Sequence, residues 1–169
     1  MSSTSSAAPS VPDLAAEQTA VTDLYRRLDA ARELAVTRFR QALAMPVINP
    51  QSLGEREAAA RFQGQRITAL DAADHGLVIG RLDRESSSQP LYIGRVGLAA
   101  DDPSGDPALV DWRAPASRPF YTATPFRPEG VVRRRHIRTR GRAVTAVHDE
   151  VLTIDVDATD GPPLTGGPR

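Results

Sequence analysis

Apolar residues recur at three- and four-residue intervals at Val21, Leu24, Leu28, Ala31 and Ala35, inside a stretch from about Leu14 to Met45 that holds neither Gly nor Pro. Such an interval gathers side chains on one stripe of an α-helix and, when sustained, makes a coiled-coil seam. One long helix is predicted, ended by Pro46 and Pro50, because proline lacks the amide hydrogen that a helix interior needs. Ser52-Leu53-Gly54-Glu55 then reads as a capping box, in which hydroxyl and carboxylate satisfy each other's free amides. The second helix it opens is expected to reach about Ala73, with Ala60, Ile67 and Leu70 on its inner stripe and Gln63 and Gly64 weakening the seam. Two helices joined by so short a loop lie antiparallel, as a hairpin with a first arm roughly 45 Å long.

After Gly76 the period changes from helical to alternating, and strands are expected over Leu77 to Leu82, Leu91 to Leu98, Ala108 to Arg113 and Val131 to Val147. Asp101 to Pro107 and Pro125 to Gly130 read as polar loops between them. Gly80, Gly94 and Gly97 fall inside strand patterns, where they suggest bulges or close backbone contacts. The predicted organisation is a tail over 1–12, a helical hairpin over 13–75, a β-rich unit over 76–152 and a tail over 153–169. The fold class is α+β, a long antiparallel helical hairpin followed by a small antiparallel β-rich unit with disordered ends.

Charge and chemistry narrow the function. The 21 basic and 21 acidic residues cancel, and every basic residue is Arg, so any partner is selected by local patches rather than by a global field. No Cys is present, which removes disulfides, thiolate catalysis and cysteine-ligated metals. With no signal-peptide pattern and no apolar run near the ~20 residues of a membrane span, a soluble, cytoplasmic protein is expected. A nucleotide-binding P-loop needs a Lys to meet the phosphates, and the sequence has none; Gly166-Gly167-Pro168 is too short a match to count. His75, His136 and His148 show no ligand spacing, and Asp155, Asp157 and Asp160 lack the Gly position and closing Glu of a calcium loop. Neither a catalytic group, a cofactor nor a metal is expected, and the chain by itself is not expected to be an enzyme.

In Val110-Asp111-Trp112-Arg113-Ala114-Pro115, alternation puts Val110, Trp112 and Ala114 on one side and Asp111 and Arg113 on the other. Trp112 is then the expected core anchor, Asp111 and Arg113 a same-face ion pair, and Pro115 the end of the strand. In Arg133-Arg134-Arg135-His136 and onward, Arg134, His136, Arg138, Arg140 and Arg142 share one cationic face if the segment is extended. Two readings compete for these arginines: a strand paired with acids elsewhere, or a contact to a phosphate- or carboxylate-bearing partner that the planar guanidinium fork suits.

Leu91 to Leu98, Val110 to Pro115 through Arg118-Pro119-Phe120-Tyr121, and Val131 to His136, in that order behind a helical hairpin, resemble the region preceding the nucleotide-binding loop in HelD proteins. These are UvrD-like ATPases that bind bacterial RNA polymerase and free it from nucleic acid; the related HelR branch is linked to rifamycin resistance. The resemblance covers about Val21 to Leu152. It implies a polymerase-engaging N-terminal module cut off before the ATP-binding motor, with core RNA polymerase as partner and weak nucleic-acid contact as the other option. The candidate contacts, read from the residues themselves, are Arg133, Arg134, Arg135, Arg138, Arg140 and Arg142 for polymerase or nucleic acid, together with Met45, Val47 and Ile48 at the arm tip. Some HelD arms carry acidic tips that approach the catalytic magnesium of polymerase, whereas Met45-Pro46-Val47-Ile48-Asn49-Pro50 has no carboxylate, which leaves docking rather than metal contact as the tip's role. A nucleic-acid-binding module and an inactive remnant of a helicase stand as the alternatives.

Overall fold

A computed structural model describes residues 11–152. The long helix is α1, Val11–Leu43, 33 residues or about 50 Å at helical rise. Its predicted stripe is its inner face: Val21, Leu24, Leu28 and Ala35 are buried and Ala31 is partly so. The second helix, α2, spans Pro50–Ala73 and returns antiparallel. Its cap differs from the expected one. Asn49 is the N-cap, its side chain accepting from the Ser52 amide at 2.7 Å, while the Ser52 hydroxyl accepts from the Asn49 amide at 3.1 Å. Pro50 starts the helix because the first turn leaves its amide positions unpaired in any case. Glu55 instead accepts from Gln51, one turn back at 3.1 Å.

Five strands follow: β1 Val78–Arg84, β2 Ser87–Gly94, β3 Val110–Asp111, β4 Val131–Arg140 and β5 Ala143–Val151. They form one sheet in the order β3-β2-β1-β4-β5, antiparallel except where β3 lies parallel to β2. The stretch read as one strand from Val131 to Val147 is two strands folded back on each other. Gly141, at φ 58°, supplies the left-handed turn that a side chain resists. β2 ends at Gly94; beyond it Leu98 only bridges to Leu109. The expected strand over Ala108 to Arg113 is reduced to β3. A short 3-10 turn, Pro115–Ser117, and the single-turn helix α3, Pro119–Thr122, cross the sheet before β4.

One core joins hairpin and sheet: Val21, Leu24, Tyr25, Leu28 and Leu70 of the helices pack with Leu77, Val78, Val96, Leu98, Ile137 and Val147. A second, on the opposite sheet face, gathers Leu82, Leu91, Ile93, Phe120, Ala123, Val131 and Leu152. Two of the three strand glycines mark close contacts. A Cβ at Gly80 would lie 2.7 Å from the Phe120 ring and one at Gly94 2.7 Å from Leu109; Gly97 has space, with its nearest neighbour at 3.9 Å. A Cβ at Gly80 would also press on the Arg135 carbonyl of β4, so Gly80→Ala is expected to displace both α3 and the β4 backbone and to lower stability by about 1–3 kcal/mol, as overpacking does, read from the urea midpoint; an unchanged midpoint would refute the close fit.

No described helix is long and apolar enough to cross a membrane. Asp155, Asp157 and Asp160, whose pattern is not that of a calcium loop, and Gly166-Gly167-Pro168 lie outside the described residues.

Candidate functional site

The six arginines of the β4–β5 region divide by what holds them. Arg133 pairs with Asp83 at 2.6 Å and reaches Asp149 at 3.4 Å. Arg134 clamps Glu150 and donates to the carbonyls of Phe120 and Ala123 at 2.7 and 3.3 Å, which fastens α3 to the sheet. Arg135 is 3% exposed and lies between Asp149, at 2.5 Å, and Glu17 of α1, at 2.8 Å. Its guanidinium holds the Asp149 carboxyl below the usual carboxylate range. Arg142, carried past the Gly141 turn, leaves the expected shared face and turns to the helices. There it grips Asp29 at 2.7 Å and Asp74 at 3.2 Å and stacks over Tyr25 at 4.6 Å. Arg138 and Arg140 are exposed and form no ion pair among the described residues. The expected continuous cationic face is therefore reduced to these two, beside His136.

Glu17 was not among the predicted residues, yet it organises the hub between α1 and the sheet. It is fully buried and accepts from Arg81 at 2.7 Å, Arg135 at 2.8 Å and the Tyr92 hydroxyl at 2.9 Å. Arg81, Tyr92 and Arg135 stand in one row across three strands. Burial and the Glu17 charge push the Tyr92 phenol up to about 12, so it remains a donor.

Trp112 is not the core anchor: it is 47% exposed. The strand ends at Asp111, and the following turn, tied by the Ser117 hydroxyl donating to the Trp112 carbonyl at 2.6 Å, swings the indole outward. Val110 keeps its inward place at 4% exposure. The Asp111–Arg113 pair forms at 2.8 Å, and Arg113 lies 6.0 Å over the indole.

The arm tip is built to present apolar side chains. Ser52 Oγ accepts the amides of Ile48 and Asn49 at 2.9 and 3.1 Å, which fixes the turn and leaves Ile48 84% exposed. Met45 and Val47 are exposed beside it, as are Leu43, Leu53 and, further along α2, Phe62. On the same distal half Arg38, Arg40, Arg56 and Arg61 make no ion pair among the described residues. Sequence reasoning passed over Phe62 and these arginines, although Phe62 falls off the Ala60–Ile67–Leu70 stripe, which was the available signal. Distal packing is thin, with small Ala35 and Ala42 as the buried seam residues beyond Leu28 and Gly64 facing Phe39.

His136 and His148 are cross-strand neighbours, an adjacency that the missed hairpin hid. Among the described residues no group of three or more potential ligands could hold a metal.

No curated protein matches the chain. A family model described as the N-terminal domain of DNA helicase IV HelD matches residues 14–162, which takes in the hairpin, the Glu17 hub and every described strand, so the chain belongs to the HelD N-terminal domain family.

Proposed function

We propose that this domain is the RNA polymerase-binding module of a HelD-type transcription-recycling factor, docking by its helical arm and performing no nucleotide hydrolysis of its own. The observation that carries the reading is the distal arm. A hairpin held rigidly at its base by a shared core and a buried charge hub projects a capped, apolar tip into solvent. Exposed Met45, Ile48 and Phe62, on an arm half that also carries Arg38, Arg40, Arg56 and Arg61, match the composition of a protein contact, in which aromatic residues, Met and Arg are enriched. The absence of Lys from the sequence supports a binding rather than an ATPase role.

A generic nucleic-acid role has less support. Arg133, Arg134, Arg135 and Arg142 are engaged by carboxylates, which leaves little free cation on the sheet to replace phosphate counterions. The test is equilibrium binding to core RNA polymerase. Ile48→Asp combined with Phe62→Ser is expected to weaken it at least about tenfold, the scale of losing an interface anchor. Both residues are exposed, so the melting temperature should not move. Tight, steeply salt-dependent binding to random duplex DNA, with none to polymerase, would refute the reading.

A further inference from the structure

The sheet face opposite α1 is half roofed and half open. Phe120 and Ala123 cover its centre, above Leu82 and Val131. Beyond them lies a cavity of about 430 Å³ lined by Ile79, His136, Arg138, Ala146 and His148 among others, with no carboxylate in its wall. The two histidines face each other across β4 and β5, and the His136 ring rests against Phe120 at 5.0 Å. Arg134, next along β4, is neutralised by Glu150, whereas Arg138 has no acid partner among the described residues. The charge of the open wall is thus that of Arg138.

The adjoining strand, β5, is the sheet edge. The Leu152 amide donates inward to the Val132 carbonyl at 2.9 Å, so strand alternation turns the backbone groups of Val147, Asp149 and Val151 outward. Toward its start the edge is closed, since Gln18 of α1 accepts the Val144 amide at 2.7 Å. Edge strands are commonly guarded by Pro or by charged side chains; between Val147 and Leu152 there is no Pro, and the two charges present, Asp149 and Glu150, are taken up by Arg135 and Arg134.

We propose that this edge and cavity together bind an extended acidic segment of a protein partner, which adds as a further strand along Val147–Val151 and seats a carboxylate among His136, Arg138 and His148. Outward backbone donors and acceptors pair with another backbone, which favours peptide over nucleic acid, and the cationic cavity selects an acidic side chain. The site is separate from the arm and stands whether or not the arm docks on polymerase. Binding is proton-linked. The groups facing His136 are Arg134 and Arg138 on β4, His148 and Glu150 on β5, and the Phe120 ring of α3, with Gly80 of β1 opposite in register. Burial, then Arg134 and His148, hold its imidazole below the ordinary value. An arriving carboxylate favours the imidazolium, and affinity rises as pH falls from neutral.

The test titrates the full chain with a fluorescent peptide of alternating Glu and Thr, a matched Lys–Thr peptide and a deoxythymidine oligomer. The expected result is selective binding of the Glu–Thr peptide, strengthening by up to about tenfold per pH unit for each proton taken up. Arg138→Gln, which removes no ion pair, and Val151→Pro, which deletes one outward amide, each weaken it about tenfold or more, and His136→Asn flattens its pH dependence. Failure of the Glu–Thr peptide to bind, equal binding of the Lys–Thr peptide, preference for the oligomer, or indifference to both Arg138→Gln and Val151→Pro would overturn the proposal.

Discussion

Replacing Glu17 with Ala is expected to lower unfolding stability by about 3–5 kcal/mol, the usual result of deleting one partner of a buried ion pair. Arg135 and Arg81 would lose their helix-side acceptor, and the Tyr92 hydroxyl would lose its acceptor as well. Because a domain of this size is stable by only about 5–15 kcal/mol, the urea midpoint should fall by roughly a fifth or more. Glu17→Gln keeps an acceptor oxygen and should cost less. A loss under about 1 kcal/mol in the Ala variant would contradict the hub. The pH dependence has a definite sign. Asp149, held below the usual range chiefly by its hydrogen bonds from Arg135, contributes fully above the unfolded carboxylate value of about 3.9. That contribution fades as pH falls below this value and through the depressed one.

Leu28→Pro should abolish the cooperative unfolding transition. Proline in a helix interior costs about 3 kcal/mol or more, and truncating a buried leucine costs roughly another 2–5 kcal/mol. Leu28 is fully buried in the core that α1 shares with Leu70, Leu77, Val96 and the sheet, so the damage extends past the hairpin. Circular dichroism and thermal melting decide it, and a variant that melts within a few degrees of the parent would contradict the shared core. The same packing makes the exposed tip, rather than Leu28, the place to separate docking from folding.

How much of this was legible follows from which signals are local. The helical hairpin was, because a seam of period three and four needs only the chain itself, and the α+β class followed from the change of period at Gly76. Glu17 was legible in principle: it sits one step ahead of Val21 in the seam register, and a charge at a seam position demands a buried partner. What concealed it is that the partners, Arg81, Tyr92 and Arg135, are strands away. The β4–β5 hairpin was hidden because Arg140-Gly141-Arg142 continues the arginine pattern across the turn. That error moved Arg142 onto a face it does not occupy and separated His136 from His148. Trp112 was misplaced because alternation was extended past Asp111, where a side-chain-tied turn replaces the strand. The true cap at Asn49 lost to Ser52 because the box pattern weighs Ser with Glu, whereas Pro50 fixes the start one turn earlier.

The arm reading is tested most directly by placing a photo-crosslinking residue at Val47, in the exposed tip, and at Ser88, exposed on β2, with core RNA polymerase as target. Arm-first docking predicts a saturable crosslink to polymerase from Val47, abolished by Ile48→Asp, and none from Ser88. A folded chain that crosslinks from Ser88 but not from Val47, or that fails to bind polymerase at all, would contradict it.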